Sequence, residues 1–222
     1  MPRSRVPAPR KRLVIATANA GKLRELRELL GPLPFDIVGL GELGLTLPEE
    51  TGASFLENAL LKARHASMLA GAAAIADDSG LEVDALGGAP GIYSARYAGA
   101  GADDRANNAK LLAALAGTAM EARTARYRCV LVYLDAGSDS EPLIAEGVWE
   151  GRIAESPRGS GGFGYDPLFW LPALNRTAAE LDAGEKNRLS HRGAALSNLR
   201  RQLAARIAGD SQGPPGHPEM PP

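Results

Sequence analysis

An apolar segment that leads directly into two adjacent carboxylates constrains this chain more than any other stretch. Residues 72–76 are small or branched and apolar, and Asp77 and Asp78 follow them at once. Neighbouring acids repel each other and lose hydration near a core, so stability alone gives little reason to place them there. The pattern predicts a buried strand that ends at a polar site, with positive charge close to the two aspartates.

Strand and helix patterns alternate in the first half of the chain, and strand patterns follow one another in the middle. The predicted strands are residues 13–17, 35–38, 72–76, 128–134, 143–153 and 168–170. The predicted helices are residues 22–30, a helix from the capping serine Ser54 to about Gly71, a helix from Asp103 or Asp104 to Gly117, and an amphipathic helix at 190–208. This order predicts an α/β protein with a mixed sheet.

Length and composition set the expected domain organisation. The 222 residues are 45% hydrophobic, which supports one large folded domain. We expect this domain at residues 13–208, between a basic tail (1–12) and a Pro- and Gly-rich tail (209–222), both predicted to be disordered. Because apolar runs stay well short of a membrane span and of a secretory signal, we expect a cytoplasmic protein with no membrane partner.

Composition also excludes several kinds of site. With Cys129 as its single cysteine, the chain can form neither an internal disulfide nor a cysteine-based zinc cluster. The three histidines lack metal-ligand spacing, so a metal should be Mg²⁺, or Mn²⁺ in its place, held by carboxylates. The formal net charge of -1 argues against a nucleic-acid partner.

The first strand and the first helix are joined by TANAGK, which contains Thr17, Asn19 and Lys22. The amide groups of a helix N-terminus and a lysine ammonium attract phosphate, so this turn is a candidate phosphate site. A Walker loop is excluded because Ala16 and Leu23 stand where its first glycine and final hydroxyl are required. A plain strand–turn–helix junction capped by Asn19 explains the turn equally well.

Polar residues also accompany the second helix. Glu50 precedes this helix, where an acid favours the helix dipole, and Asn58 and Lys62 share one of its faces. Carboxylates from this segment and from Asp77 and Asp78 could converge on Mg²⁺, which in turn binds phosphate oxygens.

Two further segments have both a ligand-binding and a purely structural interpretation. The glycine-rich loop at 155–167 precedes a strand and not a helix, unlike a dinucleotide-binding turn, and its Phe163 either stacks on a nucleobase or anchors the loop. Lys186, His191 and Arg192 surround the start of the last helix, where positive charge opposes the helix dipole. That placement suggests a ligand, although a solvated basic surface is the alternative.

The order of these motifs resembles the inosine triphosphate pyrophosphatase family, whose XTP/dITP diphosphatases cleanse nucleotide pools. The resemblance covers residues 13–203 and rests on the segments TANAGK, EETGASFLENALLKA, ADDSGLEVDALGGAPGIYSARYAG, GGFGYDPLF and EKNRLSHRGAAL. It implies a Mg²⁺-dependent hydrolase that converts dITP, ITP, XTP or dXTP to the monophosphate and pyrophosphate, keeping deaminated purines out of DNA and RNA. It also implies an elongated mixed β-sheet with flanking helices, two lobes around an active-site cleft, and a homodimer.

The resemblance implies roles for the residues that match its motifs. Glu50 matches a metal ligand and Asp78 the metal-linked proton acceptor, with Asp77 as a further metal-ligand candidate. Which aspartate holds metal and which takes the proton stays open, as does the ranking of dITP, ITP and XTP. The predicted substrate-binding residues are Thr17, Asn19, Lys22, Asn58, Lys62, Ser79, Phe163, Gly164, Tyr165, Asp166, Lys186, His191 and Arg192.

The sequence also predicts how the purine base is selected, and it leaves two other activities as alternatives. A hydrogen-bond donor near His191 and Arg192 would pair with the purine 6-oxygen, which adenine lacks. A phosphatase would release orthophosphate in place of pyrophosphate, and a nucleotide sensor would bind dITP without turnover.

Overall fold

A mixed sheet with helices on both faces organises the computed structural model, which describes residues 10–31, 33–139 and 141–210. The strands in these ranges are β1 (Lys11–Ala16), β2 (Phe35–Gly39), β3 (Ala73–Val83), β4 (Thr124–Leu134), β5 (Leu143–Ile153), β6 (Phe169–Leu171) and β7 (Arg176–Thr177). The helices are α1 (Ala20–Leu30), α2 (Phe55–Ala70), α3 (Asp104–Ala114), α4 (Ala183–Leu189) and α5 (His191–Asp210). Short 3-10 segments connect several of these elements.

The sheet combines parallel and antiparallel pairing, which confirms the mixed α/β prediction. Its strand order is β2-β1-β3-β4-β5-β6-β7. The strand β1 runs parallel to β2 and to β3, whereas the pairs from β3 to β7 are antiparallel. The three central strands β3, β4 and β5 have 11 residues each and form the longest part of the sheet.

The strand β3 extends well beyond the predicted segment at 72–76, so both aspartates lie inside it and not after its end. Its pairing with β4 continues from Ala74 opposite Leu134 to Val83 opposite Ala125. This non-local ladder outweighs the weak strand propensity of the Asp-Asp-Ser-Gly segment. The parallel neighbour β1, in contrast, pairs only as far as Ala76.

The alternation of side chains along β3 sends its two aspartates to opposite faces of the sheet. Ile75 packs in the cluster that contains residues of α1 and α5, whereas Ala74 and Ala76 pack in the cluster that contains residues of α2. Asp77 therefore faces α1 and α5, and Asp78 faces α2.

A further apolar cluster lies along the distal half of the long strands, beyond the aspartates. Leu81 and Tyr127 of the sheet pack there in one cluster with Leu111 of α3 and with Phe169. The same sheet face thus carries two apolar clusters, one on each side of Asp77 and Ser79.

Some predictions concern the ends of the chain. Strand β1 begins at Lys11, so residues 11 and 12 of the predicted basic tail belong to the sheet. Residues 1–9 and 211–222, most of the two predicted tails, lie outside the described residues. Within the described part of the chain, every helix is too short or too polar to cross a membrane.

Candidate active site

The turn after β1 brings the N-terminus of α1 to the middle of β3. Asn19 caps this helix, since its Oδ1 accepts the amide of Lys22 at 3.0 Å. Thr17 Oγ1 accepts the amide of Asn19 at 3.2 Å, which fixes the turn. Because β1 ends beside Ala76, the Lys22 ammonium reaches the next residue of β3 and forms an ion pair with Asp77.

Asp77 is buried and has polar partners on both carboxylate oxygens. Besides Lys22, Arg192 Nε lies 3.2 Å from its Oδ2, and the thiol of Cys129 donates to the same oxygen at 3.2 Å. Ser79 donates to Oδ1 at 3.4 Å. Burial opposes ionisation of Asp77, but Lys22 and Arg192 outweigh it and lower its pKa far below the usual range. Asp77 is therefore a fixed anion between two cations.

Asp78, on the other face of the sheet, shares one cation with Glu50. Lys62 Nζ donates to Asp78 Oδ1 at 2.7 Å and to Glu50 Oε1 at 2.9 Å. Burial raises the pKa of Asp78 despite the nearby Lys62. For Glu50, burial is outweighed by Lys62 and by Arg96, whose Nη1 lies 3.0 Å from Glu50 Oε2, and its pKa is lowered.

Glu50 and Asp78 meet the requirements of a hard divalent cation. Both carboxylates converge on a single ammonium group, so both already face one centre of positive charge. The described residues contain no group of three or more His, Cys, Asp or Glu side chains that could hold a metal. Mg²⁺ usually takes only one or two protein carboxylates and completes its shell with water and phosphate oxygens, so this pair fits it.

A cavity of about 280 Å³ opens on the Asp77 face, between the two apolar clusters described above. Its walls bring together ten of the predicted substrate-binding residues, namely Asn19, Lys22, Ser79, Phe163, Gly164, Tyr165, Asp166, Lys186, His191 and Arg192. Lys22 both lines this cavity and forms the ion pair with Asp77.

Phe163 lines the cavity beside the N-terminus of α1. Its ring centroid is 4.6 Å from Lys186 Nζ and 5.2 Å from Arg192 Cζ, both in cation–π geometry. The ring also packs on Gly21, where an added Cβ would come within 2.6 Å of Phe163 Cδ1. Asp166 accepts the amide of Phe163 at 2.9 Å and pairs with Lys186.

His191 is buried in the cavity wall with unused hydrogen-bonding capacity. Its ring stacks on Tyr127 at 4.7 Å between centroids and 11° between planes. Neither ring nitrogen has a partner among the described residues. Burial, reinforced by Arg192, lowers the pKa of His191 well below its usual value. A neutral imidazole offers one donor and one acceptor, and both are available to a ligand.

Thr17, Asn58 and Lys62 do not line the cavity. Thr17 stabilises the turn before α1, as described above. Asn58 is buried, and its Oδ1 accepts the amide of Gly52 at 2.8 Å, so it holds the loop that carries Glu50. Lys62 lies instead between Glu50 and Asp78.

Glu25 is a site residue that the sequence analysis missed. It lies on α1 and forms ion pairs with Lys186 at 2.9 Å and with Arg192 Nη1 at 2.6 Å. Burial opposes its ionisation, but these two cations lower its pKa. One signal was available, because Glu25 falls between Lys22 and Leu29 on the same helix face, where a charge flanks an apolar stripe.

Known proteins share both the sequence and the architecture described here. The sequence model of the Ham1 family matches residues 13–202. A dITP/XTP pyrophosphatase of Xanthomonas campestris pv. campestris (strain 8004) is 58% identical over 195 residues, which cover 88% of this chain and 98% of that protein. A dITP/XTP pyrophosphatase of Methylococcus capsulatus is 57% identical over 200 residues, or 90% of this chain and 100% of that protein. The solved structure of a HAM1 protein from Coxiella burnetii has a TM-score of 0.81 and 47% identity, covering 88% of this chain and 99% of that one.

Proposed function

The chain belongs to the Ham1 family, and on that premise we propose that it hydrolyses dITP, ITP, XTP and dXTP to the monophosphate and pyrophosphate. The family resemblance predicted from the sequence motifs is thereby confirmed. Such an activity removes deaminated purine nucleotides before they enter DNA or RNA. The names of the two bacterial relatives support this substrate class.

The observation that carries the proposal is that Lys22 lies near an acid pair and also lines a cavity with an aromatic ring and a neutral imidazole. Lys22 and the N-terminus of α1 lie close to the Lys62, Glu50 and Asp78 cluster. The cavity that Lys22 lines also contains a neutral histidine and the aromatic ring of Phe163. A triphosphate needs the first set of groups, and a purine needs the second.

We assign the predicted Mg²⁺, for which Mn²⁺ could substitute, to Glu50 and Asp78. Bound there, the ion would neutralise charge on the phosphate oxygens. Asp77 is less suited to this role because Lys22, Arg192 and Cys129 already occupy its carboxylate. In this proposal Asp77 fixes Lys22 and Arg192 in place.

The residues of the chain supply binding charge and a proton acceptor. The N-terminus of α1 and Lys22 bind the phosphates, and Lys62 compensates the charge that develops on them. Asp78 accepts a proton from water as the water oxygen bonds to the α-phosphorus. The bond from this phosphorus to the bridging oxygen breaks, and pyrophosphate leaves. A carboxylate with a raised pKa is a stronger base than an ordinary one, which favours Asp78 for this step.

Recognition of the base rests on Phe163 and His191 in this proposal. Phe163 stacks on the purine, and the free N–H of neutral His191 donates to the purine 6-oxygen. Adenine presents an amino group there and would leave that donor unpaired. An adenine nucleotide should therefore bind more weakly than an inosine nucleotide. Arg192 supports the pocket through its bonds to Glu25, Asp77 and Ser79.

Pyrophosphate release across a panel of nucleoside triphosphates, with and without Mg²⁺, tests this function. We expect release from dITP and XTP with Mg²⁺, at rates at least ~100-fold above ATP, because a polar site rejects the wrong hydrogen-bonding pattern strongly. Orthophosphate as the product would indicate a phosphatase, and binding of dITP without turnover would indicate a sensor. Equal rates on ATP and dITP would contradict the proposed role. The cytoplasmic homodimer stays a prediction, and light scattering would check the dimer.

A further inference from the structure

The α3 helix holds both backbone polar groups of Gly164, the residue that follows Phe163. The amide of Gly164 donates to Asp104 Oδ2 at 2.6 Å. The carbonyl of Gly164 accepts from Asn108 Nδ2 at 2.8 Å. Both partners lie on α3, an element to which the sequence motifs and the proposed chemistry give no role.

These two bonds are not needed to cap the helix. The N-cap of α3 is Asp103, whose Oδ1 accepts the amide of Ala106 at 2.7 Å. The carboxylate of Asp104 is therefore free to face the loop, and Asn108, one turn later on the same helix, faces the same residue of the loop. The helix thus presents an acceptor to the N–H and a donor to the C=O of one residue, Gly164, and so fixes the peptide groups on both sides of it.

The clamp acts on the residue that carries the aromatic ring. Gly164 has φ +62, a left-handed conformation that glycine adopts readily, and this turn directs Phe163 into the cavity. On the other side of the ring-bearing residue, the amide of Phe163 donates to Asp166. The glycine-rich loop is thus fixed immediately before and immediately after the Phe163 side chain.

We propose that Asp104 and Asn108 are positioning residues that hold Phe163 in the orientation required to stack on the purine, an inference that rests on the proposed function. They act on substrate binding and not on the attack at phosphorus, because their bonds go to the residue next to Phe163 and not to Glu50 or Asp78. Because the ring is already held in place, less conformational entropy is lost when the purine binds.

Asp104→Ala is the principal variant. Loss of a hydrogen bond to a charged group should raise KM for dITP about tenfold and leave kcat within about twofold. Asp104→Asn keeps an acceptor for the Gly164 amide and should restore most of the affinity. Asn108→Ala removes the neutral partner of the Gly164 carbonyl and should raise KM by a smaller factor, about threefold.

Asp103→Ala is the matched control, since it removes the cap of the same helix and makes no bond to the loop. It should leave KM unchanged. Hydrogen exchange at the Gly164 amide gives a readout that is independent of activity, and it should be faster in Asp104→Ala than in Asp103→Ala. Equal effects of the two substitutions on KM and on exchange would mean that Asp104 only stabilises α3, and would overturn the proposal.

A double-mutant cycle with Phe163→Ala decides whether Asp104 acts through the ring. If it does, Asp104→Ala adds no further rise in KM when Phe163 is already absent. Independent, additive effects would mean that Asp104 touches the nucleotide itself, and would also overturn the proposal. Failure of the proposed function would be recognised separately, because wild-type protein would then not release pyrophosphate from dITP at all.

Discussion

The two adjacent aspartates of β3 lie on opposite faces of the sheet and in opposite electrostatic environments. On the face of α1 and α5, the side chain of Asp77 is 0% exposed and lies between Lys22 and Arg192, and its pKa is lowered. On the face of α2, Asp78 is 8% exposed and shares Lys62 with Glu50, and its pKa is raised. The nearby cations fully compensate the charge of Asp77, whereas the charge of Asp78 is only partly compensated.

This difference resolves the repulsion that the sequence suggested. Adjacent residues of a strand point to opposite faces, so the two carboxylates are separated by the sheet itself. One aspartate can then organise the cavity while the other keeps the basicity that proton transfer needs. We therefore infer a structural role for Asp77 and a chemical role for Asp78, and three experiments test that division.

The largest effect is expected for Asp78→Asn. Loss of the proposed proton acceptor should lower kcat for dITP by about 10²–10⁴. The thermal unfolding midpoint should stay close to that of wild type, because burial already disfavours the charged form of this residue. Pyrophosphate release and a melting curve on the same sample would measure both quantities. High residual activity in this variant would assign the proton to Asp77 instead.

Asp77→Asn should affect folding more than Asp78→Asn does. The buried Arg192 and the half-buried Lys22 would lose their shared counter-ion, and the free energy of unfolding should fall by about 3–5 kcal/mol. Urea unfolding measures this loss. Asp36→Asn is a suitable control, because Asp36 is exposed and its pair with Arg12 at 3.9 Å should contribute less than about 1 kcal/mol. A loss no greater than that of the control would show that the buried network is dispensable.

The smallest effect concerns pH and His191, which lies on the same face as Asp77. Its folded pKa is lowered, so the unfolded state binds a proton first as the pH falls below about 6.5. The stability that neutral His191 contributes is complete above the unfolded pKa. As the pH falls below it, that stability is lost at about 1.4 kcal/mol per pH unit until the folded pKa is reached. Unfolding at pH 7.5 and 5.5 would measure it, and His191→Gln should show a flatter dependence. Identical slopes in the two proteins would contradict the assignment of a neutral buried histidine.

Local patterns predicted several elements closely. The Ser54 cap and Gly71 bound α2, and the pattern at 143–153 matches β5. Caps and periodicity act within a few residues, so they are visible in the sequence. The order of the motifs also identified the family, and ten residues of the predicted substrate-binding set line one cavity.

Other features depend on partners far along the chain. The length of β3 follows from its ladder with β4, which local propensity does not reveal. Glu25 reaches Lys186 and Arg192 only because α1 and the start of α5 meet over the sheet. The clamp of Asp104 and Asn108 on Gly164 likewise joins segments that no local pattern connects.

The sequence by itself determined the kinds of chemical group in this protein, four of the five described helices, most strands, and the family to which it belongs. Only the tertiary structure decided what each aspartate of the pair faces. Arg192 reaches Asp77 across 115 residues of chain, and strand alternation turns Asp78 toward Lys62. Electrostatic energies depend on distance and burial in the folded molecule, so identical neighbouring side chains acquire opposite pKa shifts there.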